Sequence, residues 1–366
     1  MEKQSRNYGV DLLRIVSMFM VIVLHVLGSG GLLDAPSALR SATAWFMEIS
    51  AYSAVNIYGL ISGYVGYSEH EKERPYRNAL SFWVTVAFWS AAVTLFFSIL
   101  HPELFSRERI TDSFFPISRN VYWYASAYFP LLFVAPLLNR LVRNSTDRQN
   151  ALMVALLVII FSVFATYSAR YSDPFTMHNG YSFLWLLILY LIGAWAKKSG
   201  IASRVKLTAL FIASAICIVI TWAWHTFIPG YYPNTLVNYL SPTVLIPGFT
   251  LLCAFARLRI NGAALKLTKI FSPAAFGVYL IHIHPLSWQY SFAGRFHVIG
   301  ERRTLLLPIS VIGSAFVILI CCLILEKLRL LLFEFLGINK LIRKISDFFY
   351  FKVVKTVLSR FDLVER

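Results

Sequence analysis

Charged residues are scarce in this sequence. Only 14% of its 366 residues are Asp, Glu, Lys or Arg, whereas a soluble globular domain carries about 25%. Hydrophobic residues make up 58% of the chain and the mean hydropathy is +0.63. This balance excludes an ordinary soluble domain. Runs of about 20 apolar residues recur, as membrane-spanning helices require, so the sequence predicts an all-α, polytopic membrane protein.

Cysteine is scarce as well, and no catalytic or metal-binding pattern involves it. The four cysteines all lie inside apolar runs, without metal-ligand spacing, at Cys217, Cys253, Cys321 and Cys322. We interpret them as reduced, small apolar side chains. The sequence also lacks a serine-nucleophile elbow, a metal-ligand cluster and a Walker-type phosphate loop. We therefore expect no metal and no permanently bound cofactor.

The third shortage is of acidic residues: 18 Asp and Glu stand against 34 Lys and Arg, a net charge of +16. About ten spans are predicted, at residues 10–30, 45–66, 79–100, 121–140, 150–168, 180–196, 207–227, 238–256, 270–290 and 304–325. With the N-terminus in the cytoplasm, 25 basic residues lie in cytoplasmic segments, 8 lie outside, and Arg14 lies within a span. This asymmetry follows the positive-inside rule, with both termini cytoplasmic. The expected partner of the charge is anionic lipid, and nucleic acid is not expected.

The domain organisation predicted from these spans is simple. Residues 1–325 form one transmembrane domain, and residues 326–366 form a basic amphipathic segment on the cytoplasmic face. That segment, which contains "LIRKISDFFYFKVVKTVLSRF", is typical of a helix on the membrane surface, and a tail that docks a partner is the alternative. The first span has no small-residue cleavage site and is expected to be retained.

The first span contains three ionisable residues that membrane helices seldom carry. In "YGVDLLRIVSMFMVIVLHVLGSGG" they are Asp11, Arg14 and His25. Eleven residues separate Arg14 from His25, about 20° more than three helical turns, and Asp11 lies about 40° short of four turns from His25. All three therefore share one stripe, on which Asp11 and Arg14 can pair. The rise from Arg14 to His25 is about 16.5 Å.

Two interpretations of this stripe are open. Asp11 and Arg14 could merely orient the helix, with Arg14 extending to the interface, and His25 could be a hydrogen-bonded core residue. The shared stripe favours function, because ionisable groups at membrane depth usually face the bundle interior and serve a site. A neutral imidazole suits general-base catalysis, and a guanidinium at the cytoplasmic edge suits a phosphate. The pattern indicates a phosphorylated cytoplasmic donor whose reactive end reaches His25.

The same residues carry a family resemblance. The segment "RNYGVDLLRIVSMFMVIVLH" resembles the start of the acyltransferase-3 family, bacterial membrane O-acyltransferases that modify surface glycans. The family's Arg-x10-His signature falls on Arg14 and His25, and the Arg and Asp before it fall on Arg6 and Asp11.

Four more segments match in order, so that the resemblance covers residues 6 to 290. They are "NIYGLISGY" (56–64), "RPYR" (74–77), "YWYASAYFPLLFVAPLLN" (122–139) and "FGVYLIHIHP" (276–285). The first departs from the family pattern, because Tyr58 and Gly59 stand where a Phe pair is usual.

The resemblance implies acyl transfer from cytoplasmic acyl-coenzyme A, commonly acetyl-CoA, to a hydroxyl of a glycan or lipid-linked sugar. It implies His25 as catalytic base or transient acyl carrier, with Arg14 holding the donor and Asp11 orienting Arg14. Arg74 and Arg77 are further candidates for the phosphates of coenzyme A. Positive-inside anchoring is their alternative role.

Four further residues are candidates for substrate binding. Ser62 precedes a glycine and could meet substrate or pack helices. Trp123 and Tyr124 could stack on a sugar or belong to an interfacial aromatic belt. His282 carries the family match and ranks below His25. His284, two residues on, points about 200° away from His282 on a helix, which argues against a metal pair.

These observations predict a multi-pass O-acetyltransferase of the bacterial inner membrane that modifies a surface polysaccharide or lipid-linked sugar, as in exopolysaccharide biosynthesis. The alternative is a transporter of such a glycan, because Pro242 and Pro247 could break the eighth span as transporter helices are broken. Dependence on acyl-CoA distinguishes the two. Succinyl or another short acyl group, the acceptor sugar, the side of the membrane where it is modified, and the oligomeric state stay open.

Overall fold

The computed structural model describes residues 6–34, 37–70, 76–169, 171–228, 234–300 and 305–354, and within these ranges the chain is helical with no strand. The first nine α-helices are α1 (Tyr8–Leu27), α2 (Ala38–Ala51), α3 (Ala54–Gly66), α4 (Arg77–Leu100), α5 (Arg107–Phe114), α6 (Trp123–Asn144), α7 (Asp147–Val158), α8 (Ala165–Ser168) and α9 (Phe183–Lys198). The remainder are α10 (Ile201–Arg204), α11 (Leu207–Phe227), α12 (Pro242–Arg257), α13 (Gly262–Phe271), α14 (Ala275–His282), α15 (Pro285–Ser287), α16 (His297–Gly300), α17 (Leu306–Phe335) and α18 (Ile338–Phe349).

Seven helical stretches in the described part of the chain are long and apolar enough to cross a membrane. They are Tyr8–Leu27, Asn78–Leu100, Trp123–Asn144, Asp147–Ser168, Leu207–Phe227, Gly262–His282 and Leu306–Phe335. An all-helical membrane protein is therefore confirmed, and each of the seven overlaps a predicted span. The other three predicted spans are shorter helices, so the structure does not confirm the number ten.

The differences have local causes. The predicted span 45–66 is two helices, α2 and α3, because the chain turns at Tyr52 and Ser53 between them. The predicted spans 180–196 and 238–256 correspond to α9 and α12, of 16 residues each. The predicted span 270–290 begins and ends earlier than expected: its helix runs over Gly262–His282. Pro285 follows closely, and a proline cannot continue the preceding helix.

Apolar side chains are exposed on the outer helices, as contact with lipid requires. On α11 the exposed residues include Phe211, Ile212, Ile216, Val219 and Ile220. The same pattern on α17 includes Ile309, Phe316 and Val317. A soluble protein would not leave whole helix faces of this kind in water, whereas a bilayer solvates them.

The central helices α3 and α9 pack closely because glycines line their contact. A Cβ on Gly63 would lie 1.8 Å from the carbonyl oxygen of Tyr190, and a Cβ on Gly193 would lie 2.0 Å from that of Leu60. Small residues let helix backbones approach in this way inside membranes. Gly63 is therefore a packing residue, and its neighbour Ser62 is left to face a cavity.

A buried ion pair connects three other helices. Arg329 donates two hydrogen bonds to Glu326, at 2.6 and 2.8 Å, and the indole of Trp89 donates to the same carboxylate at 2.5 Å. Gly277 of α14 packs against this carboxylate, since an added Cβ would lie 2.2 Å from the Glu326 carboxyl carbon. The pair thereby fixes α14, the helix that ends at His282, against α4 and α17.

The chain continues past residue 325 without interruption, because α17 runs to Phe335. Gly337, at φ 69°, turns the chain into α18, whose sequence "INKLIRKISDFF" places apolar residues at helical spacing with basic residues between them. α18 lies against α4, and Tyr350 beyond it reaches a cavity described below. Residues 355–366 of the predicted amphipathic segment lie outside the described residues.

Candidate active site

The first helix carries the predicted stripe. α1 is continuous over Tyr8–Leu27, and the Asn7 side chain caps it by accepting from the backbone N–H of Val10 at 3.1 Å. Asp11 is buried in the first turn, where a carboxylate also favours the helix dipole. Its two oxygens accept from Arg14 Nη1 at 2.7 Å and Arg6 Nε at 2.5 Å. Asp11 therefore holds two guanidinium groups at one end of α1.

Arg14 lines a cavity of about 1090 Å³, called here the Arg14 cavity, whose wall also includes Ser62, Tyr76, Asn139, Arg140 and Arg143. The Tyr58 hydroxyl donates to the backbone carbonyl of Arg14 at 2.7 Å and connects α3 to α1 beside the cavity. The Arg14 side chain is 29% exposed, so it remains accessible from the cavity.

The Arg14 cavity is a basic site. Its described lining includes Arg14, Arg140, Arg143 and His70, and no Asp or Glu is among the described lining residues. Sequence reasoning missed Arg140 and Arg143, although their Arg-x-x-Arg spacing directly after "PLLN" could have revealed them. Arg74 falls outside the described residues. Arg77 begins α4, and its side chain also lies outside the described part.

Ser62 is positioned in the wall of the Arg14 cavity. Its hydroxyl donates to the carbonyl of Tyr58, one turn earlier, at 2.8 Å. Asn139 in the same wall connects two helices, donating to the Gly66 carbonyl and accepting from the Tyr190 hydroxyl, both at 3.0 Å. Asn139 thus holds this wall of the cavity through hydrogen bonds to α3 and α9.

His25 pairs with the histidine that also carried the family match. His25 Nδ1 lies 2.9 Å from His282 Nε2, and His282 Nδ1 lies 2.6 Å from the carbonyl oxygen of Val278. A carbonyl oxygen only accepts, so His282 must carry its proton on Nδ1. Its Nε2 is then an acceptor, and His25 must donate from Nδ1. The Nε2 lone pair of neutral His25 remains for chemistry.

The end of α14 positions His282 for this role. His282 is the last residue of α14, and Pro285 begins α15, with His284 in extended conformation before it at ψ 135°. The predicted divergence of the two histidines is seen in their partners. His284 Nδ1 accepts from the Leu286 N–H at 3.2 Å, and its Nε2 lies 3.3 Å from Thr94 Oγ1. No cluster of metal-binding side chains occurs in the described part of the chain.

His25 lines a second cavity of about 340 Å³, called here the His25 cavity. Its walls are mainly aromatic and include Tyr52, Trp123, Tyr239 and Trp288. The Trp288 ring meets the His25 ring edge-on, with centroids 5.0 Å apart and an interplanar angle of 88°. The predicted residue Trp123 therefore lies in the wall of the cavity that contains His25, and its ring is parallel to that of Tyr239 within 18°.

The two cavities share part of their walls. Tyr58, Tyr124 and Phe276 line both of them. Tyr124, predicted to bind substrate, thus lies between the cavity of the guanidinium and the cavity of the imidazole. Arg14 and His25 lie in neighbouring cavities separated by these aromatic side chains, about 16.5 Å apart along α1.

His282, also predicted to bind substrate, is not among the described residues that line either cavity. Its contact is with His25, whose imidazole it holds through the 2.9 Å hydrogen bond. Sequence reasoning missed two further residues of the His25 cavity. Glu48 lies in the last turn of α2, and Tyr52 lies in the break between α2 and α3, which the sequence predicted as one continuous span.

A comparison with protein families identifies the family of the chain. A family model described as an acyltransferase domain, that of the acyltransferase-3 family, matches residues 7–326, nearly the whole chain. The match includes α1, the His25 cavity, the His25–His282 pair and the described lining of the Arg14 cavity except Tyr350. No curated protein and no solved structure matches the chain.

Proposed function

The chain belongs to the acyltransferase-3 family and is a membrane acyltransferase, and we propose that it transfers acetyl from acetyl-CoA to a sugar hydroxyl. The acceptor is a bacterial surface polysaccharide or its lipid-linked precursor, and the enzyme resides in the inner membrane. One observation carries the proposal: a basic cavity and an imidazole cavity adjoin through a shared aromatic wall, on one helix stripe.

The donor's phosphates bind in the Arg14 cavity. Three guanidinium groups line it, from Arg14, Arg140 and Arg143, and no Asp or Glu is among its described lining residues. Guanidinium groups bind phosphate oxygens through paired, charge-assisted hydrogen bonds. Asp11 keeps Arg14 oriented through the 2.7 Å ion pair. The Arg14 cavity therefore supplies three arginines for the donor, while Arg74 and the side chain of Arg77 lie outside the described residues.

The acetyl end of the donor reaches His25 through the shared wall. The distance along α1 is about 16.5 Å, comparable to the length of a pantetheine arm. Tyr58 and Tyr124 line both cavities, so the path between the cavities runs past their rings. The thioester passes between these rings, while the nucleotide stays with the arginines.

His25 performs the proton transfer. Its Nε2 takes the proton of the acceptor hydroxyl as the oxygen attacks the thioester carbonyl. The carbon–sulfur bond then breaks, and the thiolate of coenzyme A takes the proton back from Nε2. In the alternative route, Nε2 attacks the thioester carbonyl and the carbon–sulfur bond breaks, which gives an acetyl-imidazolium and the thiolate of coenzyme A. The sugar oxygen then takes the acetyl group, its proton passes to the thiolate, and neutral His25 is restored. Both routes need Nδ1–H held by His282, as in other histidine sites where a third group fixes the tautomer.

Labelled acetyl-CoA supplied to membranes containing the protein tests the proposal. His25→Ala is expected to abolish acetylation of the glycan at unchanged protein level, and Arg14→Ala is expected to raise the KM for acetyl-CoA. The matched control is His297→Ala, because His297 is exposed and is not among the described residues that line either cavity. Full activity in His25→Ala would remove the mechanism. Glycan movement without any need for acetyl-CoA would instead indicate the transporter.

A further inference from the structure

One buried carboxylate in the His25 cavity has no structural partner. Glu48, in the last turn of α2, is 7% exposed and lines the His25 cavity. Its Oε2 atom is buried and makes no hydrogen bond within the described part of the chain. Burying a carboxyl oxygen without a hydrogen bond is unfavourable. The other buried carboxylates, Asp11 and Glu326, are both paired with arginine.

The neighbours of Glu48 in this cavity are suited to an uncharged ligand. No Lys, Arg or second carboxyl group is among the described lining residues, so an anionic group there would find no compensating cation. The walls are aromatic: the Tyr52 and Tyr239 rings lie 4.8 Å apart, and Trp123 and Tyr181 lie 4.6 Å apart. Aromatic faces and a hydrogen-bond acceptor together match a sugar ring, which has apolar faces and a rim of hydroxyl donors.

The two cavities therefore differ in charge. The Arg14 cavity has guanidinium groups and no described carboxylate, while the His25 cavity has one carboxylate and no described guanidinium. An anionic donor would therefore bind in the Arg14 cavity and an uncharged acceptor in the His25 cavity, on opposite sides of the wall formed by Tyr58, Tyr124 and Phe276. The volume of about 340 Å³ is at the lower end of the range for small-molecule sites, which suits a short piece of glycan.

We propose that the His25 cavity binds an uncharged sugar ring of the acceptor and that Glu48 accepts hydrogen bonds from its hydroxyls. The inference rests on the proposed acetyl transfer and adds the substrate class and a residue that selects it. Glu48 orients the ring so that one hydroxyl meets Nε2 of His25. It is a specificity-determining residue and takes no part in proton transfer.

The test uses the full-length protein in lipid nanodiscs with labelled acetyl-CoA. The acceptor probes are methyl glycosides of glucose, galactose and mannose, with the methyl glycosides of the corresponding uronic acids as anionic counterparts. Neutral glycosides are expected to be acetylated in preference to uronosides. Glu48→Gln is expected to raise the KM for the neutral acceptor about 5- to 150-fold, the effect of leaving one buried hydroxyl donor without its acceptor, while the KM for acetyl-CoA stays the same.

Two further variants separate binding from folding. Glu48→Asp keeps the carboxylate and should partly restore the acceptor KM. Glu108→Gln is the matched control, because Glu108 is an exposed carboxylate on α5. Because Oε2 of Glu48 is unpaired, Glu48→Gln should leave the thermal unfolding midpoint unchanged or raise it, whereas loss of a structural hydrogen bond would lower it.

The outcomes are distinct. Three results would overturn the inference: a wild-type acceptor KM in Glu48→Gln, a preference for uronosides, or no transfer to any neutral glycoside by a protein that binds acetyl-CoA. None of these results would contradict acetyl-CoA as the donor. Calorimetric titration that finds no binding of acetyl-CoA to the wild-type protein would instead overturn the proposed function itself.

Discussion

Replacing His282 by alanine should slow the enzyme without weakening donor binding. In the structure, His282 Nε2 is the acceptor that holds the proton of His25 on Nδ1, across 2.9 Å. Alanine removes that acceptor, so the His25 ring can rotate or carry its proton on Nε2, where it is useless as a base. Arg14 and the Arg14 cavity are untouched, because His282 is not among the described residues that line it.

The size of the effect follows from one buried hydrogen bond. Leaving a buried polar group without its partner costs about 1–3 kcal/mol, which corresponds to about a 5- to 150-fold loss in kcat. This is smaller than the loss of about 10²- to 10⁴-fold typical for removal of a general base itself. We therefore expect His282→Ala to retain more activity than His25→Ala.

Single-turnover and steady-state kinetics with labelled acetyl-CoA measure the effect. His282→Gln should recover part of kcat, since its amide oxygen can accept from His25 Nδ1 in place of the imidazole nitrogen. His297→Ala serves as the control for an exposed histidine. If His282→Ala keeps kcat within twofold of the wild type at the same thermal stability, His282 does not position His25, and the tautomer argument is refuted.

Three other predictions concern packing and the donor cavity. Gly63→Ala should prevent stable folding, because its Cβ would lie 1.8 Å from a backbone oxygen of α9. Gly313→Ala, with nothing within 4 Å of its Cβ, should fold normally. Thermal unfolding in detergent distinguishes the two variants, and equal unfolding midpoints would contradict the packing. Arg140→Gln should raise the KM for acetyl-CoA about tenfold or more with kcat unchanged, the effect of losing a charge-assisted hydrogen bond; an unchanged KM would remove Arg140 from the donor site. Raising the salt concentration should weaken acetyl-CoA binding in a calorimetric titration, because guanidinium–phosphate attraction is screened, and a salt-independent affinity would indicate that the donor is held elsewhere.

Much of the first helix could be predicted from the sequence. The periodicity of a single helix determines that Asp11, Arg14 and His25 share a stripe, and the Asp11–Arg14 ion pair follows from their spacing of three. The spans could also be predicted locally, because contact with lipid determines the length and the apolar composition of each spanning helix.

Contacts between distant segments could not be predicted in this way. The His25–His282 bond joins residues 257 positions apart, and only the packing of α14 against α1 brings them together. The break between α2 and α3 at Tyr52 and Ser53 contains no proline or glycine, so composition favoured one continuous span. Glu48, in the last turn of α2 before that break, belongs to no sequence motif, so its place in the His25 cavity could not be predicted.

The donor cavity shows the same limit. Arg140 and Arg143 lie in a stretch that the positive-inside rule already explains, so their basic character alone did not distinguish an anchor from a ligand site. Their convergence on Arg14 comes from the packing of α6 against α9 and α4, which only the folded arrangement reveals.

The most direct measurement is a cryo-electron microscopy structure of the protein with a non-hydrolysable acetyl-CoA analogue. We expect the phosphates to lie among Arg14, Arg140 and Arg143. The thioester carbonyl carbon should lie past Tyr58 and Tyr124, on the His25 side. The gap between this carbon and His25 Nε2 should admit an acceptor hydroxyl whose oxygen lies about 3–3.5 Å from the carbon. A bound analogue whose acetyl group points into the lipid, or remains on the far side of that aromatic wall from His25, would contradict the account.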